Sequence, residues 1–500
     1  MLSESVKHVL FLSAFLSTAM GTAVWSGITS VSTTCFATQT EAKPNVILIL
    51  ADDLGYTDLG CYGSGYYQTP EIDRMAAEGM RFTSGYTCGP NCQPTRAAMM
   101  SGQYGPRTGV YTVGSIERFP WRTRSLRPVD NVEKLPTNKV TLGQAMKSCG
   151  YVTGLFGKWH LGEDAEHHPL ARGFDEAVVS SGRHFHFHTN PKTEYPEDVY
   201  LADFLTDKAL DFIHRHRDEP FFLCLHHFAV HSPWEAKAEY IRKFESVPPT
   251  GGHHDPVYAA MIASVDESVG RVLETLRQLN LAENTLVIFT SDNGGVGGYA
   301  REGIGSSEIT DNAPLRGGKG MLYEGGIRVP YIFWRPGTVP TGKECDVPIC
   351  SVDIFPTLLD LAGGTPPVGY PLDGISYAKL LTGQDGDAWS ERPIFWHFPG
   401  YLGGGKGTWR ITPVGAVRKG DWKLLQFFED GRIELYHLRE DIEEKRNLAE
   451  QRPEVTAELL ALLKSWQAEI QAPMPTPHTP ETAAEPPAPA GPRNARRRAN

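Results

Sequence analysis

Three short runs constrain this chain more than anything else in it: Val46-Ile47-Leu48-Ile49-Leu50, Phe221-Phe222-Leu223-Cys224-Leu225 and Thr285-Leu286-Val287-Ile288-Phe289. A strand with one wet face alternates apolar and polar residues. A strand apolar almost throughout must be covered on both faces, as in a parallel sheet carrying helices on each side. Helical spacing lies between the runs, at 140–148 and at 259–279, where Ile262, Val265, Val269, Val272, Leu273 and Leu276 share one side. A short strand is expected near Tyr151-Val152-Thr153. Residues 44–365 therefore predict an α/β domain with a large, mostly parallel central sheet flanked by helices.

The pattern changes after residue 365. Pro366-Pro367 and the glycines at 400, 403, 404 and 405 set off shorter segments at 415–417, 422–427 and 433–438, followed by an amphipathic helix at 453–470. Residues 366–471 predict a smaller C-terminal domain of antiparallel sheet plus helix. Residues 472–500 are rich in Pro and Ala, end in Arg496-Arg497-Arg498 and predict a disordered tail.

At the other end, Lys7 and His8 precede an apolar stretch reaching Trp25, with small-residue cleavage points at Ala23 and Ala37. Residues 1–37 read as a signal peptide, with an uncleaved anchor as the competing reading. No later stretch is long and apolar enough to span a bilayer, so an exported protein, periplasmic or secreted, is expected. Of eight cysteines one lies in this leader. The odd remainder implies at least one unpaired or modified sulfur. Cys149 and Cys224 read as core residues, and a Cys345–Cys350 bond is conceivable but not fixed by sequence. The formal net charge of -11 argues against nucleic acid or an anionic membrane as the main partner. An anionic substrate would need cations or a metal concentrated locally.

Chemistry gathers where the strands end. The first runs into Asp52-Asp53, the second is followed by Lys158 and His160, the third by His231 and the fourth by Asp292-Asn293. Taken singly, acidic residues there cap helices and a histidine is a structural residue. Taken together they fall on one sheet edge, where open α/β sheets bind ligands. Asp52, Asp53, Asp292 and Asn293 offer only oxygen, the preference of calcium or magnesium rather than zinc. Gly55, Gly294 and Gly295 let the backbone fold tightly beside them.

The segment Cys88-Gly89-Pro90-Asn91-Cys92-Gln93-Pro94-Thr95-Arg96 carries the pattern Cys-x-Pro-x-Arg from Cys92. It resembles the signature of the sulfatase family, within the alkaline-phosphatase-like superfamily. Further resemblances follow in order: Pro44-Asn45-Val46 to Gly55, Thr69 to Ala76, Gly157-Lys158-Trp159-His160, His231-Ser232-Pro233, Ser291 to Gly295, Leu315 to Gly320, Tyr323 to Pro330, Asp353 to Thr357 and Arg418 to Leu424. Thr95 stands where Ser is more frequent.

The resemblance implies a sulfuric ester hydrolase. A dedicated maturation enzyme oxidises Cys92 to formylglycine, which hydrates to a gem-diol. One hydroxyl attacks sulfur and the second expels sulfate. One calcium per chain is held by Asp52, Asp53, Asp292 and Asn293 with the modified Cys92. Arg96, a helical turn on, steadies the gem-diol, while Lys158 and Lys319 bind sulfate oxygens. His231 binds substrate and protonates the leaving alcohol, His160 assists aldehyde recovery and Asp292 helps activate the nucleophile. The substrate is a sulfated small molecule or, as export suggests, a saccharide. A phosphate or phosphonate ester hydrolase of the same superfamily, and a non-catalytic binder of sulfated glycans, are the alternatives. Strand alternation in Arg183-His184-Phe185-His186-Phe187-His188 would put three histidines on one face, a tempting metal site. Because the metal motif is complete elsewhere, residues 183–190 are expected instead to form a pocket wall or structural loop, with Arg183 and His184 contacting sugar.

Overall fold

A computed structural model describes residues 43–481 except 306, 385 and 404–407. The predicted signal peptide, Gly404, Gly405 and residues 482–500 lie outside the described residues.

The strand Asn45–Ala51 sits near the middle of a nine-stranded sheet, paired in parallel with Phe221–His226 on one side and Thr285–Ser291 on the other. Val152–Gly157 and Glu176–Ser181 extend the parallel core, so that Leu48 lies between Cys224 and Ile288. Ile47 and Ile49 face a core built with Val265, Val269 and Leu273 of the helix Pro256–Gln278. Val46, Leu48 and Leu50 face the opposite core, with Met99, Met146 and Leu358. All five side chains are fully buried, which is why the run has no polar alternation. Shorter strands close the sheet: antiparallel Tyr331–Trp334, then Met80–Phe82 and Lys343–Cys345 at one edge, and His188–Asn190 at the other.

The predicted helix at 140–148 starts at Leu142, because Thr141 caps it reciprocally with Gln144. The long helix begins earlier than its apolar period, at Pro256, where the Asp255 side chain accepts from the Tyr258 amide at 2.8 Å. The strand expected at 151–153 runs on to Gly157. Gly154 and Gly157 hid it, yet both are needed: a Cβ on Gly154 would meet Phe212 at 2.9 Å, and one on Gly157 the His226 carbonyl oxygen at 1.8 Å.

A second, antiparallel sheet orders Ile394–Phe398, Val414–Lys419, Trp422–Phe427 and Ile433–His437, with the helix Pro453–Glu469 laid across it. Its core is continuous with the first body: Tyr86, Ala98 and Ile327 pack in one cluster with Trp396, Leu424 and Leu463.

One expectation needs correction. Residues 472–481 do not belong to a disordered tail, since Thr476–Pro477 pairs with Leu126–Arg127 and the His478 amide donates to the Ser125 carbonyl at 2.8 Å. The segment has no core of its own but borrows a ladder from the body. The three-histidine face, set aside above in favour of a loop, does not form. The strand is confined to His188–Asn190, His186 has φ 51°, and of the three only His184 is buried.

Candidate active site

The strand Asn45–Ala51 ends in a turn where Asp53 takes a left-handed backbone, φ 64°, which aspartate tolerates better than most residues. Neighbouring strand exits are stitched to it. The Asp52 amide donates to the Ala229 carbonyl at 3.0 Å, and the Asp53 amide to Asp292 Oδ1 at 3.2 Å.

Cys92 is the first residue of the helix Cys92–Ser101, every residue of which is buried. Its Sγ lies 3.4 Å from Asp52 Oδ1 and 3.7 Å from Asp53 Oδ1. One turn along, Arg96 donates from Nε to Asp292 Oδ2 at 2.8 Å and from Nη1 to the Lys158 carbonyl at 2.7 Å. The Lys158 ammonium pairs with Asp52, and Lys319 Nζ lies 2.6 Å from Asp53 Oδ1. His231 Nε2 faces Asp53 Oδ2 at 3.8 Å, while its Nδ1 is 2.6 Å from the Ser232 carbonyl oxygen. A nitrogen bonded to a carbonyl must carry hydrogen, so Nδ1 is the donor to Ser232 and Nε2 is the ring atom turned to Asp53.

Ionisation follows from this packing. Burial pushes against the charge on Asp52, but Lys158, with His231 and Arg96, holds its carboxyl well below the usual range. Lys319 and His231 likewise overcome burial at Asp53. Asp292 goes the other way, pushed up to about 6 by burial and by the charge on Asp52. Burial and the nearby Lys158 and Arg96 lower His160 well below an ordinary histidine, leaving it neutral. Burial raises the Cys92 thiol well above its usual value, so the unmodified side chain stays protonated.

A divalent cation fits the residues present. Ligand atoms of Asp52, Asp53, Cys92 and His231 lie within 4.8 Å of one another. Asn293 donates to Asp53 Oδ1 at 2.9 Å, and its buried Oδ1 has no hydrogen-bond partner, an oxygen available to a hard cation. Asp292 presents its oxygens to Arg96 and the Asp53 amide.

Above these groups opens a cavity of about 680 Å³, with Asp53, Cys92, His160, His231 and Lys319 among its lining residues. The lining also includes Arg118, Phe119, Trp234, Ile304 and Arg410.

Against this geometry, the sequence profile described as Sulfatase matches residues 44–364, well over half of the chain. The chain belongs to the sulfatase family. A second profile, described as N-sulphoglucosamine sulphohydrolase, C-terminal, matches residues 318–471 of this sulfatase. A Sulfatase from Formosa agariphila is 33% identical over 86% of this chain and 90% of its own length. Human N-acetylgalactosamine-6-sulfatase is 36% identical over 71% of this chain and 68% of its own. The crystal structure of Ps i-CgsB in complex with k-i-k-neocarrahexaose is 30% identical, with a TM-score of 0.72 over 88% of this chain and 95% of that one. The phosphonate monoester hydrolase of Agrobacterium radiobacter, 21% identical with a TM-score of 0.64, shares the fold.

All ten residues singled out for this sulfatase's site (Asp52, Asp53, Cys92, Arg96, Lys158, His160, His231, Asp292, Asn293 and Lys319) lie in the hydrogen-bonded and ion-paired nest or line its cavity. The sugar contacts expected from Arg183 and His184 are not supported. His184 is fully buried, 2.8 Å through Nε2 from the His231 carbonyl, stacked on Tyr200 and with the Phe228 ring tilted against it. Arg183 is drawn away to Glu235. Neither lines the cavity.

Sequence reasoning missed Asn312, which is fully buried. Its Nδ2 donates to the carbonyls of Gly295, Gly297 and Gly317 at 3.0–3.1 Å and its Oδ1 accepts from the Gly295 amide. It ties the Asn293 loop to the Lys319 loop. Its place three residues before Leu315, where the Leu315–Gly320 motif begins, was the available signal.

Proposed function

We propose that this sulfatase is exported, carries formylglycine at position 92 and one calcium ion, and removes sulfate from a carbohydrate. The observation that carries the reading is Cys92 itself. It lies 3.4 Å from Asp52 and lines a cavity of about 680 Å³ shared with Lys319 and His231. That leaves room for a saccharide beyond the sulfate. Two likenesses favour a sugar: a relative named for N-acetylgalactosamine 6-sulfate chemistry and a structure bound to a neocarrahexaose.

In this reading Asp52, Asp53, Asp292 and Asn293, with the modified side chain at 92, would hold calcium, which would supply charge to polarise the sulfuryl group. Formylglycine, made by a maturation enzyme and hydrated, would supply the attacking oxygen and a second hydroxyl for the release of sulfate. The other residues act directly. Lys158 and Lys319 turn their ammonium groups from Asp52 and Asp53 towards the sulfate oxygens. His231 delivers the Nε2 proton to the leaving alcohol, with its ring oriented through Nδ1 on Ser232. Neutral His160 can accept a proton as the aldehyde is recovered. Arg96 keeps Asp292 in place, and Asp292 assists the nucleophile. Three carboxylates and three cations nearly cancel here, so a dication leaves the nest positive, which suits an anion in an acidic protein.

In this reading residues 1–37 direct export and are cleaved off in the process. Among the described residues no helix is long and apolar enough to cross a membrane. The test is sulfate release from defined sulfated saccharides and an aryl sulfate, beside a phosphate ester. Saccharide desulfation that disappears in Cys92→Ala supports the reading. A clear preference for the phosphate ester, or binding of sulfated glycan without turnover, would overturn it.

A further inference from the structure

Cys88 and Cys350 come together where the segment leading to Cys92 runs beside the strand Ile349–Cys350. Gly85–Tyr86 pairs in parallel with Ile349–Cys350, placing Tyr86 opposite Cys350. Two residues later the Cys88 Sγ lies 3.3 Å from the Cys350 Sγ, the one sulfur–sulfur contact among the described residues. The backbone on both sides is fixed. The Cys88 amide donates to Ser351 Oγ at 3.1 Å, and the Cys350 amide to Asp353 Oδ2 at 2.8 Å. Cys88 is 8% exposed and Cys350 not at all, with Trp396 closing over the strand by donating to the Thr87 carbonyl at 2.6 Å. The pairing left open by sequence, Cys345 with Cys350, is not the one the fold brings together.

We propose that Cys88 and Cys350 form a disulfide that staples the segment leading to Cys92 onto the Ile349–Cys350 strand. A disulfide needs its sulfurs about 2.0 Å apart, so the 3.3 Å contact has only about 1 Å left to close. The oxidant is the disulfide of a thiol–disulfide oxidoreductase. One thiolate of the pair attacks it to give a mixed disulfide, the other displaces the enzyme's sulfur, and the Cys88–Cys350 bond forms. The oxidase disulfide gains the two electrons and two protons and leaves as a dithiol. Burial raises the Cys88 thiol well above its usual value, so exchange belongs to folding, before the second sheet closes over the pair. Cys88 is then removed as a partner for Cys92, four residues away, which must stay unpaired to be modified. The oxidant rests on the export reading, but the pairing does not.

The test is peptide mapping of the full chain without reductant, after alkylation in denaturant. One arm is protein exported with its own leader. The other is leaderless protein made in the cytosol and refolded in a mixture of reduced and oxidised glutathione. A cross-linked peptide joining Cys88 to Cys350 in the refolded arm establishes the pairing, and its presence in the exported arm places the bond in the native route. Free Cys88 and Cys350 in both arms, or either bonded to another cysteine, overturns the proposal. The oxidised protein should also melt several degrees above Cys88→Ser/Cys350→Ser, and reductant should open the bond only when denaturant is present. Opening at the same rate in native buffer would contradict a buried staple.

Discussion

Two guanidinium nitrogens of Arg96 converge on a single oxygen of Asp292, at 2.8 and 2.7 Å, and the two side chains are 1% and 0% exposed. Removing one partner leaves an uncompensated buried charge, which costs about 3–5 kcal/mol. Arg96→Ala should therefore lower stability by that order and abolish turnover. Arg96→Met combined with Asp292→Leu should recover much of the stability and none of the activity. Denaturant unfolding beside a sulfate-release assay reads both. Activity in the double variant would remove the pair from the chemistry.

His184 bonds to the His231 carbonyl and does not line the cavity. His184→Ala should reduce turnover of an aryl sulfate and of a sulfated saccharide by the same factor, on the order of tenfold, as expected of a group that orients a catalytic side chain. A loss confined to the saccharide would restore a direct sugar contact.

The oxygen-rich nest predicts a metal requirement. Calcium should be found at about one per chain, and a chelator should lower both the melting temperature and activity, because an ion bound to the native state stabilises it by mass action. Calcium should restore both. Asp52→Ala should lose ion and activity together. Stoichiometric zinc, or full activity in metal-free protein, would contradict this.

Away from the site, the Asp266 carboxylate accepts from the Ile72 and Glu71 amides, and burial pushes it up to about 7. The folded state then binds more protons than the unfolded chain between about pH 4 and pH 7. Stability from this group is full below pH 4, falls as pH rises through that window and is flat above it. The total is roughly 4 kcal/mol for a shift of this size. Asp266→Asn keeps an acceptor oxygen without the charge. Unfolding from pH 4 to 8 should show wild-type stability falling relative to the variant, and parallel curves would refute the assignment.

Much of this was legible because it is written locally. Val46 to Leu50 reads as a doubly buried strand without help from any other part of the chain, and the polar residues at four strand ends mark one edge of the sheet. What stayed hidden depends on distant partners. Gly154 and Gly157 weaken a strand signal because Phe212 and the His226 backbone occupy the space a side chain would need. Ile394–Phe398, an outer strand of the second sheet, was not read as a strand at all. Arg118, Phe119, Trp234 and Arg410 reach the cavity from segments with no period to read. The alternating histidines of 183–188 carry no strand face because the chain bends there, and alternation has meaning only in a strand.

On the reading proposed above, position 92 is formylglycine rather than cysteine in the working enzyme. Mass spectrometry of the tryptic peptide covering residues 82–96, from protein made in a host with the maturation enzyme, tests it most directly. The formylglycine aldehyde or its hydrate should appear at position 92, in a fraction of molecules that tracks specific activity from one preparation to the next. An unmodified thiol at Cys92 throughout a fully active preparation would contradict it.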